Sequence, residues 1–314
     1  MIKKVLLGIF LLVIAAVIFL FYFAWRSPAF YEGNTECKLT VPPMTMAEYD
    51  SVSQSHPRPF IIDIDASKKD PKWGKVLFYG ATHTRNPKDP QIADIEKRWD
   101  SFDPTACLIE GRLGFLIPGL MDPTERFGEA GYVYKLARRD GVEDFTWEQP
   151  LDNEITAVLK KFKPEQVAMF YVLRPYFSNL RFGKPNNPDE YVQAFIEKRT
   201  IHPELQNTIK TVGDIDAIWN REFRGNDKQG KQIKDWRETS DEYGLPLWLG
   251  DISAESNYVR NEYLACLIIT LVKQGKRVFV IGGSSHPVCI ERTLIVNINI
   301  ADINREVILI SFFI

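Results

Sequence analysis

Two short motifs in this chain place a histidine just after a hydrophobic run. The first is Lys75-Val-Leu-Phe-Tyr-Gly-Ala-Thr-His83, and the second is Arg277-Val-Phe-Val-Ile-Gly-Gly-Ser-Ser-His286. In each, β-branched and aromatic residues end at glycine, which is typical of a buried strand that runs into a tight turn. In open α/β sheets, the loops at the carboxyl ends of the strands form the crevice where ligands bind. The paired motifs therefore predict that His83 and His286 face one pocket.

Two acidic residues and an arginine follow other apolar runs in the same way. Glu110 and Arg112 come directly after Ala106-Cys-Leu-Ile109, and Glu148 comes after Phe145-Thr-Trp. A strand, a helix and a further strand form a parallel unit with a right-handed crossover, so Glu110 and Arg112 should emerge at the edge that carries the first histidine. The next strand should bring Glu148 to that edge as well.

These residue types can bind a divalent cation. Imidazole nitrogens and carboxylate oxygens coordinate ions such as Mn²⁺, Co²⁺ or Zn²⁺, and a catalytic site leaves one coordination position open for water. His83, Glu110 and His286 are therefore the predicted metal ligands. The metal would acidify that water for attack on a carbonyl carbon. A further carboxylate such as Glu148 could take the proton, and Arg112 could hold the oxyanion or an anionic group of the substrate.

The same residues allow other interpretations. A histidine oriented by a glutamate can act directly as a general base on water, which gives metal-free hydrolysis of an ester or amide. Alternatively, each acid could simply pair with Arg112, Arg260 or loop amides, because ion pairs are common at such positions. Ser284 and Ser285 lack the Gly-x-Ser-x-Gly elbow of serine hydrolases, which disfavours a serine nucleophile.

The intervening sequence predicts the elements that position these residues. Phe60-Ile-Ile-Asp-Ile-Asp65 and residues 75–82 have the pattern of strands. Asp89-Pro90 indicates a helix start, because the aspartate caps the helix and proline is tolerated at its first position. Residues 123–139 also form a helical pattern, which Gly141 would end.

Residues 151–247 have a different character, with long helical patterns at 164–180 and 189–198. An insertion of this kind commonly forms a cap that shapes the pocket. His202 lies within it and is expected to be a surface or capping residue. Residues 254–273 predict a long helix before the second motif. Beyond Cys289, residues 294–300 and 306–313 have the pattern of strands, in place of an expected closing helix.

Residues 5–25 form an unbroken apolar run that follows Lys3 and Lys4. About 20 such residues suffice to cross a bilayer, and the positive-inside rule keeps the lysines in the cytosol. A cleaved signal peptide has a shorter apolar core of ~7 to 15 residues. We therefore predict an uncleaved single-pass signal anchor over residues 1–26, a linker over 27–59 and an α/β domain over 60–314 outside the cytosol.

The composition is that of an ordinary globular protein. The chain has 314 residues, of which 45% are hydrophobic and 25% are charged. A net charge of -2 gives no electrostatic argument for a nucleic-acid partner. Four cysteines do not make a disulfide framework in a chain of this size. We expect Cys107, Cys266 and Cys289 to be buried as small hydrophobic residues, while a bridge from Cys37 is possible without an assigned partner.

Taken together, the motifs resemble those of the Tiki/TraB superfamily, which also includes erythromycin esterases and haem-binding lipoproteins. The similarity covers about residues 75–286. It is carried by Gly80 to His83, Glu110-Gly-Arg112, Glu148, Arg260-Asn261 and Gly283 to His286. This resemblance implies an α/β fold with a mainly parallel sheet. In the Tiki branch it also implies a membrane-tethered, metal-dependent peptidase that acts outside the cytosol.

The predicted fold is thus α/β, with a central, mainly parallel sheet flanked by helices, a helical cap insertion and an N-terminal transmembrane helix. The leading functional prediction is a membrane-anchored hydrolase that uses a divalent metal on a peptide or a small ester or amide. One alternative is a non-catalytic protein that holds haem or a metal. Another is an inactive scaffold whose cap binds a partner.

Overall fold

The computed structural model describes residues 2–35, 37–180, 183–227, 230–238 and 245–298. The chain divides into two units. The first contains Met1–Glu148 and Asn261–Ile314, and the second contains Gln149–Arg260. Each unit has its own hydrophobic core.

A β-sheet forms the centre of the first unit. In the described part of the chain its strands are β1 (Ala29–Phe30), β2 (Phe60–Asp65), β3 (Lys75–Ala81), β4 (Ala106–Ile109), β5 (Glu143–Thr146) and β6 (Arg277–Gly283). Their spatial order is β1-β5-β4-β6-β3-β2. Every neighbouring pair is parallel except β2 with β3. The predicted α/β class with a mainly parallel sheet is confirmed.

Several helices begin or end at residues that are favoured as helix caps. In chain order they are α1 (Ile2–Phe23), α2 (Met46–Val52), α3 (Pro90–Phe102), α4 (Pro123–Asp140), α5 (Leu151–Leu159), α6 (Pro164–Asn179), α7 (Pro188–Arg199), α8 (Val212–Glu222), α9 (Leu247–Lys273) and α10 (Ser285–Asn297). The Asp89 side chain accepts the Gln91 N–H at the start of α3, with Pro90 as the first helical residue. Gly141 ends α4 in the left-handed conformation. Both predicted boundaries are confirmed.

Helices cover both faces of the sheet, because alternate residues of the central strands point to opposite sides. Val76 and Phe78 of β3 belong to a core cluster that includes side chains from α9 and α10, such as Ile268. Leu77 and Tyr79 belong to a second cluster with α3 and α4. Strands that are buried on both faces are typical of parallel sheets and explain the continuous apolar runs in the sequence.

The structure corrects the prediction for the carboxyl-terminal segment. Residues 294–297 belong to α10, and the strand predicted over residues 294–300 is wrong in its described part. Ile290, Leu294 and Ile298 recur at every fourth position and are fully buried in the core cluster on α10's side of the sheet. That helical spacing outweighs the strand preference of the β-branched residues. The remaining residues of the predicted strands lie outside the described residues.

The segment over residues 27–59, which we expected to be a linker, is instead part of the first unit. Strand β1 pairs with β5, and the Met44 N–H donates to the Cys289 carbonyl at 2.9 Å. A disulfide joins Cys37 to Cys266, whose Cα atoms lie 5.6 Å apart. Cys266 is therefore not the free buried thiol that we expected, whereas Cys107 and Cys289 are free and buried as predicted.

The amino-terminal helix α1 has 22 residues, and its described large apolar side chains are exposed. Of the helices that the structure describes, none meets the length and hydropathy required of a membrane span. The transmembrane anchor therefore stays a prediction.

In its described residues the second unit consists of helices and connecting turns, and it covers most of the segment for which we predicted a helical insertion. Aromatic and aliphatic side chains form its core. His202 lies in this unit and is 7% exposed, so it is not a surface residue. Its Nδ1 accepts the Glu204 N–H at 3.3 Å within a turn, and no described helix begins there, so the contact is local to the turn.

A buried carboxylate is bound by several donors in this second unit. Glu154 is 3% exposed, and its Oε1 accepts hydrogen bonds from Arg174 at 2.9 Å, Tyr171 at 2.8 Å and Ser256 at 2.6 Å. Burial alone would raise the pKa of Glu154. The charges of Arg174 and Arg260 and the two hydroxyl donors outweigh this effect, so the pKa is lowered.

We expect Glu154→Gln to lower the free energy of unfolding by about 3 kcal/mol near neutral pH, because the arginine charges lose their buried partner. The carboxylate's folded-state pKa lies below its ordinary value of 4.5. The ionised carboxylate therefore contributes to the free energy of unfolding above pH 4.5, and this contribution is lost as the pH falls through the folded-state pKa. Urea unfolding at about pH 7 and about pH 3 should show the difference from wild type shrinking in acid. Glu165→Gln, which removes an exposed partner of Arg221, is the control. An equal difference at both pH values would contradict this assignment.

Candidate functional site

The two histidine motifs lie side by side because β3 and β6 are neighbours in the sheet. Gly80 pairs with Gly282 in the register of the two strands. Strand β4 pairs with the other edge of β6. His83, Glu110 and His286 therefore follow three adjacent parallel strands at one edge of the sheet, as the motifs predicted.

Glu129 of α4 orients the ring of His83. The Nδ1 atom of His83 lies 2.6 Å from Glu129 Oε1, and the Thr84 N–H donates to Glu129 Oε2 at 3.2 Å. Glu129 is 4% exposed, whereas 40% of the His83 side chain is exposed. Because a carboxylate can only accept, Nδ1 carries the proton, and Nε2 holds the lone pair of the neutral ring.

Asn261 of α9 has the same role for His286. His286 Nδ1 donates to Asn261 Oδ1 at 2.7 Å, which again leaves the lone pair of the neutral ring on Nε2. The ring packs edge-on against Trp147, with centroids 4.9 Å apart. Trp147 is held in turn by its indole N–H, which donates to the Ile281 carbonyl at 2.9 Å. His286 is thus buried and fixed in orientation at the first turn of α10.

Glu110 lies between the two motifs. Its Oε2 accepts the Gly283 N–H at 2.6 Å, and its Oε1 lies 3.6 Å from His286 Nε2. A Cβ on Gly283 would stand 3.0 Å from His83 Nε2 and 3.7 Å from Glu110 Oε2. A Cβ on Gly282 would stand 3.2 Å from the same carboxylate oxygen. A larger residue at either glycine would therefore press on His83, Glu110 or Trp147 and would require these side chains to shift.

We call His83, Glu110 and His286, together with the positioning residues Glu129 and Asn261, the edge cluster. In both histidines Nδ1 is bound to a buried oxygen, so each imidazole has a defined tautomer with its lone pair on Nε2. Metal-bound histidines are oriented in this way by carboxylate or carbonyl oxygens. General-base histidines paired with a carboxylate have the same arrangement.

Glu129 is a functional candidate that sequence reasoning missed. The available signal was Gly128, a glycine inside a helical pattern. Gly128 has φ 66° and ψ -153°, which interrupts α4 just before Glu129. A Cβ at this position would lie 2.8 Å from the Thr84 carbonyl oxygen. Asn261 was selected only through the family resemblance, and nothing in its local sequence predicted a contact with His286.

We expect Gly128→Ala to displace Glu129 from His83 and to weaken Co²⁺ binding at the edge cluster. The conformation at Gly128 is almost exclusive to glycine, and strain of this kind costs about 1–3 kcal/mol. Gly141→Ala is the matched control, since Gly141 has the same φ of 66° at the end of the same helix, and a Cβ added there would meet no atom within 4 Å outside its chain neighbours. The control should lose about 1 kcal/mol of stability with unchanged Co²⁺ affinity, measured by titration and thermal unfolding. Equal Co²⁺ affinities in both variants would contradict the positioning role of Gly128.

Two other predicted site residues, Arg112 and Glu148, follow β4 and β5 at the same end of the parallel strands. The Arg112 guanidinium stands over the Phe30 ring, 4.8 Å from its centroid. Glu148 directly follows Trp147, and its backbone N–H donates to Thr146 Oγ1 at 3.1 Å. Their proposed roles toward an oxyanion and a proton stay predictions.

The donor atoms of the edge cluster fit a divalent cation in chemical type. His286 Nε2 and Glu110 Oε1 are 3.6 Å apart, and two ligands of one zinc ion with bonds of about 2.0–2.1 Å lie at most about 4 Å apart. Across the described residues, however, no three or more His, Cys, Asp or Glu side chains stand at the spacing of a metal site. The cluster therefore contains side chains of the types that bind metals, and one pair of them, His286 and Glu110, is close enough to bind the same ion.

Comparisons with protein-family models, curated proteins and solved structures find no match to this chain. The resemblance to the Tiki/TraB superfamily rests on the motifs alone.

Proposed function

We propose that this protein is a hydrolase of amide or ester bonds that uses a divalent metal held by His83, Glu110 and His286. The observation that carries the proposal is the orientation of the two histidines. Each has Nδ1 bound to an oxygen of a buried residue. His286 Nε2 lies 3.6 Å from Glu110 Oε1, and His83 Nε2 and Glu110 Oε2 both lie within 4 Å of the position of a Gly283 Cβ. Ligands that are oriented in advance by other side chains are characteristic of metal sites in proteins.

Each side chain of the edge cluster would have a distinct role in this reaction. A bound metal would acidify a coordinated water and polarise the substrate carbonyl. His83 and His286 would bind through Nε2, and Glu110 would bind through its carboxylate. Glu129 and Asn261 would hold the tautomers that make Nε2 available. Of the further candidates, Glu148 would accept the proton from water and Arg112 would bind an anionic group of the substrate.

A second candidate function is metal-free hydrolysis with His83 as the general base. The observation that favours it is the 2.6 Å contact between His83 and the buried Glu129 carboxylate, combined with the partial exposure of the imidazole. A histidine oriented in this way can take a proton from water through Nε2.

We also propose that the protein is anchored in a membrane by α1, with its amino terminus in the cytosol and both units outside. The apolar α1 follows a lysine pair, as the positive-inside rule requires. The disulfide between Cys37 and Cys266 supports the same topology, since such bonds persist in oxidising compartments. Membership of the Tiki/TraB superfamily and a role of the helical insertion in substrate specificity belong to this proposal.

The test is metal content of the full-length protein in detergent after exposure to Mn²⁺, Co²⁺ and Zn²⁺. The parent should hold about one ion per chain, and the His83→Ala/His286→Ala double variant should hold none. His56→Ala is the control, because His56 packs against Phe60, outside the edge cluster. Circular dichroism of each variant checks that the fold is retained.

The possible results separate the two candidates. A metal that is lost in the double variant and kept in the control supports the proposal. A parent without metal whose hydrolysis of p-nitrophenyl acetate disappears in His83→Ala supports the metal-free base. A metal that remains in the double variant contradicts the ligand assignment.

A further inference from the structure

An uncharged, apolar loop follows Glu110 and Arg112. Its sequence is Leu113-Gly-Phe-Leu-Ile-Pro-Gly-Leu-Met121. Phe115 is 52% exposed and Leu120 is 74% exposed, so the loop presents large apolar side chains to its surroundings. Contiguous exposed apolar surface on a protein marks a contact with another molecule or with a membrane.

Hydrogen bonds join this loop to the segment that follows α1. The Trp25 N–H donates to the Leu116 carbonyl at 2.8 Å, and the Leu116 N–H donates back to Trp25 at 3.3 Å. The Ser27 hydroxyl donates to the Leu113 carbonyl. Trp25 also packs edge-on against Tyr134 of α4, with centroids 5.5 Å apart. The loop is therefore held beside the end of α1 by main-chain contacts that do not depend on its exposed side chains.

Exposed apolar side chains are also present on α1, the helix beside which the loop is held. The large aliphatic side chains of α1 between Val5 and Ile18 are exposed, and the helix ends at Phe23, two residues before the bridge to the loop. Tryptophan is favoured where hydrocarbon meets water at a membrane surface, which is the position that Trp25 would take.

We propose that the loop 113–121 contacts the lipid bilayer beside α1, with Phe115 and Leu120 entering the interfacial region. This inference rests on the proposed membrane anchoring by α1. The nine residues contain no charge whose burial in the interface would cost free energy. Because the loop leaves β4 directly after Glu110, it would hold the sheet edge that carries the edge cluster toward the membrane. The bond that is hydrolysed would then lie close to the bilayer surface.

The experiment uses the full-length protein in lipid nanodiscs with one nitroxide label at a time. Labels are placed at Phe115→Cys and Leu120→Cys, and Ile201→Cys of the second unit is the control, because Ile201 is an equally apolar side chain that is 63% exposed. Leu12→Cys reports on α1 independently. The native Cys107 and Cys289 are buried, and the unlabelled parent defines the background. Collision with oxygen is compared with collision with a water-soluble nickel chelate.

For labels at positions 115 and 120, the ratio of collision with oxygen to collision with the nickel chelate should be several-fold higher than for the label at position 201. If positions 115 and 120 match position 201 while position 12 is lipid-like, the loop contact is overturned and the anchor stands. If position 12 is water-like as well, the anchor is also wrong. Protection of positions 115 and 120 from both reagents would indicate a protein partner instead and would equally overturn the lipid contact.

Discussion

Glu129→Gln is expected to reduce both Co²⁺ affinity and hydrolysis by about 10- to 100-fold, the usual effect of removing the residue that orients a metal-binding histidine. Glu129 accepts from His83 Nδ1 at 2.6 Å and from the Thr84 N–H at 3.2 Å. A glutamine amide group can donate to Nδ1, which would move the imidazole proton to Nε2 and remove the lone pair that the chemistry needs. Isothermal titration with Co²⁺ and the initial rate with p-nitrophenyl acetate measure the two effects.

Glu125→Gln is the matched control for this prediction. Glu125 is exposed in the first turn of the same helix, so the change removes the same charge from α4 without touching His83. The control should have wild-type Co²⁺ affinity and rate. If Glu129→Gln behaves like Glu125→Gln, Glu129 has no positioning role. If it loses the rate but not Co²⁺ binding, the metal-free base becomes the better account of the site.

Removing the disulfide is expected to cause the largest loss of stability. Cys37 and Cys266 are 229 positions apart in the sequence, so their bond closes a long loop and restricts the unfolded chain. Loss of a native disulfide typically costs about 2–5 kcal/mol, and longer loops lie toward the upper part of this range. The Cys37→Ser/Cys266→Ser double variant should therefore unfold at a clearly lower urea concentration than the oxidised wild type.

A reductant provides the internal control for the disulfide. Reduced wild type should unfold close to the double variant, and the double variant itself should be unaffected by the reductant. Thiol titration of the denatured wild type should find two free thiols of the four cysteines. Four free thiols, or a wild-type midpoint that does not respond to the reductant, would show that the bond is absent from the protein.

Much of the sheet and its flanking helices was predictable because the signals are local. The apolar runs of β3, β4 and β6 are buried on both faces, so their hydrophobic character is continuous along the chain. Caps such as Asp89 and Gly141 act through the backbone within a few residues. Local signals failed at residues 294–297, where burial of Leu294 against the sheet favours the helix.

The chemistry of the site was only partly predictable. The sequence alone determined that His83, Glu110 and His286 follow strands of the same sheet, because matched strand-and-glycine patterns imply a common edge. Only the tertiary structure decided that Glu129 and Asn261 orient the two histidines. It also decided that Cys37 pairs with Cys266. These contacts join residues between 25 and 229 positions apart in the sequence, and they depend on how helices pack on the sheet. No periodicity or cap in the local sequence encodes such a distance, because the partner is set by packing rather than by the neighbouring residues.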